Sequence, residues 1–188
     1  MNQSTFTRSA LSLVPCALMA VLSSGCLVST FHPLYDEASI VFDEALVGRW
    51  ENPDSQIAVT VARSEWRSYK IDYTERTTTT HFTAFLTELS GARFLSVRPE
   101  DCLERPAFVV ATNGPLEVQI AGAQVRVREL DYDELLKRFK ARTLKIAAAT
   151  DLKQNLVITA ETPALRQWMV AALKEPALWA EWKTLSKK

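Results

Sequence analysis

Ile57-Ala58-Val59-Thr60-Val61-Ala62 and Ser68-Tyr69-Lys70-Ile71-Asp72-Tyr73 are the stretches that decide the fold. In the first, branched apolar residues alternate with small or polar ones, the period of a strand with one buried face. In the second, Tyr69, Ile71 and Tyr73 alternate with Ser68, Lys70 and Asp72. Working outward, residues 77–89 form a longer run that sets Phe82, Ala84 and Leu86 on one face. Its four consecutive threonines fit strand propensity. Residues 94–98, 107–112, 116–121 and 124–130 continue the pattern. Gly91, Gly114 and Gly122 fall between these runs, as hairpin turns require. Short strands in close succession predict an antiparallel barrel or sandwich rather than a parallel sheet.

Helical signals enter late. Asp131 precedes residues 132–141, and Glu134 three places on gives the spacing of a capping box. Leu135, Leu136 and Phe139 supply an apolar stripe. Two further strand-like runs follow at 144–148 and 155–160. Thr162 then reads as a helix cap with Pro163 at the first helical position. Leu165, Trp168, Met169, Ala172 and Leu173 recur at the spacing of one buried helical face. Pro176 is expected to restart a helix carrying Leu178, Trp179, Trp182 and Leu185, whose Lys183, Lys187 and Lys188 suit a C-terminal dipole. The expected architecture is mainly β with C-terminal helices. One helix is inserted between late strands, and amphipathic helices pack outside an antiparallel barrel.

Two resemblances bear on this reading. Gly48-Arg49-Trp50 resembles the G-x-W signature of lipocalins and their relatives, in which a first strand lays its tryptophan across the closed end of a barrel. That resemblance implies a lipocalin/calycin-like barrel with Trp50 in its floor. The helix at 132–141 departs from the lipocalin plan, and no motif places an arginine over Trp50. The string from Pro33-Leu34-Tyr35 to Trp50, with Leu156-Val157-Ile158-Thr159-Ala160 before a helix, is similar to a family of short bacterial lipoproteins of unassigned activity.

The amino terminus points the same way. Residues 11–22 (LSLVPCALMAVL) are an apolar run of twelve, preceded by Arg8. A stable transmembrane helix needs roughly 20 apolar residues, whereas a signal-peptide core is this short. Leu22-Ser23-Ser24-Gly25-Cys26 resembles the lipobox of bacterial lipoproteins. The resemblance implies cleavage before Cys26 and acylation of its thiol with fatty chains such as palmitate. A plain secretory signal or a buried helix is the alternative. Leu27 rather than an acidic residue follows the cysteine, which favours the outer membrane if the cell has two. The expected organisation is a signal at 1–25, a short aromatic tether at 26–45 packed on the domain, and a barrel domain with helices at 46–188. Removing residues 1–25 from 188 leaves 163, enough for one domain with a core of its own.

Composition narrows the function classes. The chain has 22 basic and 22 acidic side chains, interspersed, so no basic face suited to nucleic acid is expected. Of three cysteines, Cys16 leaves with the signal and Cys26 is the lipid acceptor, so Cys102 has no intramolecular disulfide partner. Glu100, Asp101 and Glu104 beside Cys102 disfavour its thiolate. His32 and His81 lack a second ligand at metal spacing, and no nucleophile elbow, phosphate loop or dinucleotide fingerprint occurs. Neither an enzyme nor a cofactor is expected.

Two functions of different class remain. The barrel holds a small apolar ligand, with Trp50, Tyr69, Ile71, Tyr73, Phe82, Ala84 and Leu86 lining the cavity. Alternatively it is filled, and serves as a surface-tethered adaptor for other envelope proteins. An eight-stranded barrel is just wide enough for either. In both, the membrane is a partner through the acyl chains of Cys26. Cys26→Ser should therefore abolish acylation and leave an uncut precursor; metabolic labelling with a fatty acid checks this, and label retained by the variant would refute it.

Overall fold

The protein is described by a computed structural model over residues 28–100, 111–151 and 154–188. In chain order its strands are β1 (Ser29–Thr30), β2 (Ile40–Val41), β3 (Gly48–Asn52), β4 (Ile57–Arg63), β5 (Ser68–Glu75), β6 (Thr78–Leu89), β7 (Ala92–Pro99), β8 (Gly114–Ala121) and β9 (Gln124–Glu129). Helix α1 (Tyr132–Lys140), β10 (Ala148–Thr150), β11 (Leu156–Ile158), α2 (Thr162–Ala172) and β12 (Lys183–Lys187) follow. Strands β3 to β9 form an antiparallel meander, and β12 inserts between β9 and β3 to close an eight-stranded lipocalin-like barrel. Strand β2 is an extra partner of β6, pairing Ile40 with Thr87 and Val41 with Leu86.

Closure by β12 overturns one expectation. The helix predicted from Pro176 onward is a single 3-10 turn, Pro176–Leu178, and the chain then becomes a strand. Lys183, Thr184, Leu185 and Ser186 pair with Val127, Arg126, Val125 and Gln124, while Ser186 and Lys187 pair with Glu51 and Trp50. A helix here would leave β3 and β9 as two unpaired edges. Ladder bonds on both sides outweigh the helical spacing of the apolar residues.

Residues paired across a ladder share a face. Val61, Ile71, Phe82 and Pro99 follow one register, as do Tyr69, Ala84, Val97 and Gly114. The inner face gathers a first core of Leu46, Trp50, Val61, Tyr69, Ile71, Ala84, Leu86, Leu95, Val118, Val125 and Leu185. A second core lies outside the barrel. There Leu89 and Phe94 on the outer wall meet α1, α2, the small β1-β11-β10 sheet and the segment around Leu34. The helices thus pack outside, with α1 inserted between β9 and β10. Two outward hydroxyls buried beneath this layer are satisfied locally. Thr87 Oγ1 donates to the Ser39 carbonyl at 3.0 Å, and Ser96 Oγ accepts from Leu34 N at 3.3 Å.

Several boundaries differ from the sequence reading. Gly114 is not a turn glycine but the buried first residue of β8. Gly91 (φ 79°) and Gly122 (φ 59°) do occupy hairpin turns in the left-handed region. The strand expected at 107–112 falls largely outside the described residues, and Ala111 and Thr112 are irregular. The run at 144–148 forms a strand only from Ala148 onward. Asp131 caps α1 through Glu134 N at 2.8 Å, but the box is not completed. The Glu134 side chain accepts instead from Lys137 and Arg138, and Asp131 N donates to the Leu178 carbonyl. Thr162 opens α2 from within rather than capping it; its hydroxyl donates to the Pro33 carbonyl at 2.8 Å, tying the chain near Leu34 to the helix.

Trp50 is 1% exposed, whereas Trp66 sits in the turn between β4 and β5 with 61% exposure. Trp50→Ala should cost about 3–5 kcal/mol, the range for a core aromatic, and Trp66→Ala should stay within about 0.5 kcal/mol. Urea melts of the two variants decide this, and equal midpoints would contradict it.

Candidate functional site

The two ends of the barrel differ. At one end the chain over 42–47 crosses the opening and seals it. Phe42 stacks on Tyr69 with ring centroids 4.7 Å apart and planes 11° from parallel. The Tyr69 hydroxyl accepts from Asp43 N at 2.7 Å and lies 3.2 Å from the Asp43 carbonyl, to which it donates. Burial pushes the Tyr69 phenol above its ordinary pKa, so it stays a donor. Asp43 is further held by Arg93 at 2.6 Å, and the Arg63 guanidinium lies over the Phe42 ring at 4.1 Å. Trp50 completes the seal by donating from Nε1 to the Leu46 carbonyl at 2.8 Å.

A cation does lie over Trp50, but it is a lysine. Lys187 Nζ stands 5.1 Å from the ring centroid. The close neighbour of Gly48 is the same side chain: a Cβ added there would sit 2.8 Å from Lys187 Cε, and Gly48 has φ +142°. The glycine thus gives Lys187 room to lie along the floor, and its backbone takes a conformation that other residues rarely adopt.

At the other end the inner-face residues are half-buried rather than buried. Strands of such a barrel tilt by about 35–45°, so a row of paired residues climbs the wall. Trp50, Val59, Tyr73 and Thr80 make one row; the first is buried and the other three are half-buried. Ile57, Phe82, Val97, Leu116 and Val127 also pack against the inner core while remaining half-buried. Val59, Leu116 and Val127 are mid-strand, away from any turn.

The sequence-derived lining therefore divides by depth. Trp50, Tyr69, Ile71, Ala84 and Leu86 form the packed floor, and Tyr73 and Phe82 belong to the half-buried upper wall. Ile57, Val59, Val97, Leu116 and Val127 complete that wall and were not singled out as lining. Their alternation in sequence marks them as inward, but nothing in it marks their height. Cys26 and Cys102 lie outside the described residues. His81 projects from the outer wall and bonds Asp72 at 2.7 Å, and His32 meets Glu161 at 3.4 Å. Among the described residues no group of His, Cys, Asp or Glu could hold a metal ion.

Two surface hollows lie outside the barrel along α2. One of about 700 Å³ is lined by Ile146, Ala147, Ala160, Ala164, Trp168 and neighbours. A smaller one of about 280 Å³ continues past Trp168 towards Arg138 and Glu175. The larger is mainly apolar and open to solvent, and the smaller is walled in part by the ion-paired Arg138 and Glu175.

Against protein-family models, curated proteins and solved structures alike, the chain finds no match. The class is thus defined by architecture: a closed eight-stranded antiparallel barrel with a buried floor and a half-buried upper wall. Ala84 is the residue on which the depth assignment turns. Ala84→Trp should overpack the floor against Tyr69 and cost about 1–3 kcal/mol; an unchanged urea midpoint would mean that the floor has room.

Proposed function

We propose that the protein is a lipid-anchored protein of the cell envelope whose barrel carries a small apolar molecule in its upper half. The anchor rests on Leu22-Ser23-Ser24-Gly25-Cys26 and the apolar run before it. Among the described residues no helix is long and apolar enough to cross a membrane. With Leu27 after the cysteine, the outer membrane is the favoured location in a cell with two.

The observation that carries ligand binding is the gradient along the inner face. From Trp50 and Ala84 to Val59, Phe82 and Val127, residues of one apolar wall pass from buried to half-buried. Water against such a wall is readily displaced by an apolar group. The sealed floor sets how deep a guest can sit, and the guest is held by area rather than by directed bonds. Burying apolar surface contributes about 25 cal/mol per Å² before the costs of association. No catalytic role is assigned to this wall.

A second reading has one observation in its favour. The hollow around Trp168 and Ile146 is an apolar trough on the outer layer, where an envelope protein could dock. Trp168→Glu would then abolish a partner interaction and leave the barrel untouched.

The two separate on one variant. A neutral dye that brightens in apolar surroundings, N-phenyl-1-naphthylamine, should bind the protein one to one. Val127→Trp should remove that binding by filling the upper half while shifting stability by less than about 0.5 kcal/mol, since the added ring enters open space. Dye binding that survives Val127→Trp would overturn the proposal.

A further inference from the structure

The mouth of the barrel carries charge that the wall beneath it lacks. Among the described residues, Glu75, Glu129 and Lys183 share the inner face with the upper wall. Glu75 pairs with Ile57, Glu129 with Leu116 and Lys183 with Val127. Lys183 Nζ donates to Glu129 Oε1 at 2.9 Å, so this ammonium is already matched to one carboxylate. Glu75 is matched only to a phenol: Tyr73 donates to its Oε2 at 3.4 Å. No cation pairs with Glu75 among the described residues. Tyr73 itself keeps its proton, because burial and then the Glu75 and Glu129 charges raise its pKa. The other inward cations, Arg63, Arg93 and Lys187, stand at the sealed end against Phe42, Asp43 and Trp50.

We infer that the barrel takes amphiphiles whose polar end is a cation or a neutral hydroxyl and turns away those that end in an anion. This rests on the barrel being the container proposed above. With the apolar tail against Val59, Phe82 and Val127, the head of the guest lies at the level of Tyr73 and Glu75. A cationic head supplies the countercharge that Glu75 lacks among the described residues, and a hydroxyl accepts from Tyr73 or donates to Glu75. An anionic head instead meets the Glu75 carboxylate at the exposed rim, a repulsion that salt screens. Lys183 offers it little, because drawing that ammonium away strands Glu129.

The test uses the full chain in phosphatidylcholine nanodiscs and three long-chain diazirine lipids. They are identical but for a trimethylammonium, a hydroxyl or a sulfonate head, so their charges are independent of pH. After photolysis, mass spectrometry measures label on peptides from β4, β5, β8 and β9. The trimethylammonium and hydroxyl lipids should label these inner strands about tenfold more than the sulfonate at low ionic strength, with the preference shrinking in salt. Glu75→Gln should bring the three lipids to within about twofold of one another, and Lys183→Gln should widen the gap, an opposite shift that misfolding would not produce. Sulfonate labelling equal to trimethylammonium in the unaltered chain would overturn the inference and leave the container standing. Absence of inner-strand label from all three lipids would remove the container, and this inference with it.

Discussion

The structure depends on one ladder: the insertion of β12 between β3 and β9. Five residues near the chain end supply hydrogen-bond partners to two strands that are far apart in sequence. Without them the sheet is an open meander with two edges, and an open sheet has no inside. Every property of the interior follows from that closure, including the depth gradient and the separation of floor from mouth. It also makes this a topology of long sequence separation, since Lys187 must find Trp50 across the chain.

The same ladder explains what the sequence hid. Strands β4 to β9 were legible because apolar residues recurring at every second place mark a one-sided strand. Strand β12 was not legible, because Leu178, Trp179, Trp182 and Leu185 fit helical spacing as well as the inner face fits Lys183, Leu185 and Lys187. An inward lysine looks like a solvent residue until its surroundings are known. Lys187 lays its stem against the floor and its ammonium over Trp50, and Lys183 reaches the mouth and finds Glu129. Each has a polar destination that only the closed ring creates.

The site was half legible for a different reason. Alternation assigns a residue to a face, and it placed Tyr69, Ile71 and Tyr73 on one face and Phe82, Ala84 and Leu86 on another that meets it, while Trp50 came from the likeness of Gly48-Arg49-Trp50 to the G-x-W signature. It says nothing about height, which comes from strand tilt. Trp50 and Tyr73 share a row of the ladder, yet the tilt puts one in the floor and the other near the mouth. The segment at 42–47 straddles the expected boundary between the tether at 26–45 and the barrel domain at 46–188, and its sequence names no partners. Its role as a seal arises from contacts with Tyr69, Arg63 and Arg93, which come from three different strands.

The outer layer has its own electrostatic peg, and it serves the barrel. Glu117 projects outward from β8 with a side chain only 6% exposed, held by Arg128 at 2.6 Å. The Arg128 guanidinium lies over both Trp179, at 4.7 Å, and Trp182, at 4.5 Å. A pair buried so deeply is a weak source of net stability, because desolvation offsets most of its attraction. Its value is positional: removing either partner strands a charge, so only one placement of Trp179 and Trp182 satisfies both. Those tryptophans flank the point where the chain leaves the 3-10 turn and enters β12. Glu117 and Arg128 thus set the start of β12 from the outer face, while Lys187 on Trp50 sets its end from the inner one. Both ends of the closing strand are thus tied to side chains of the sheet it completes, one from each face.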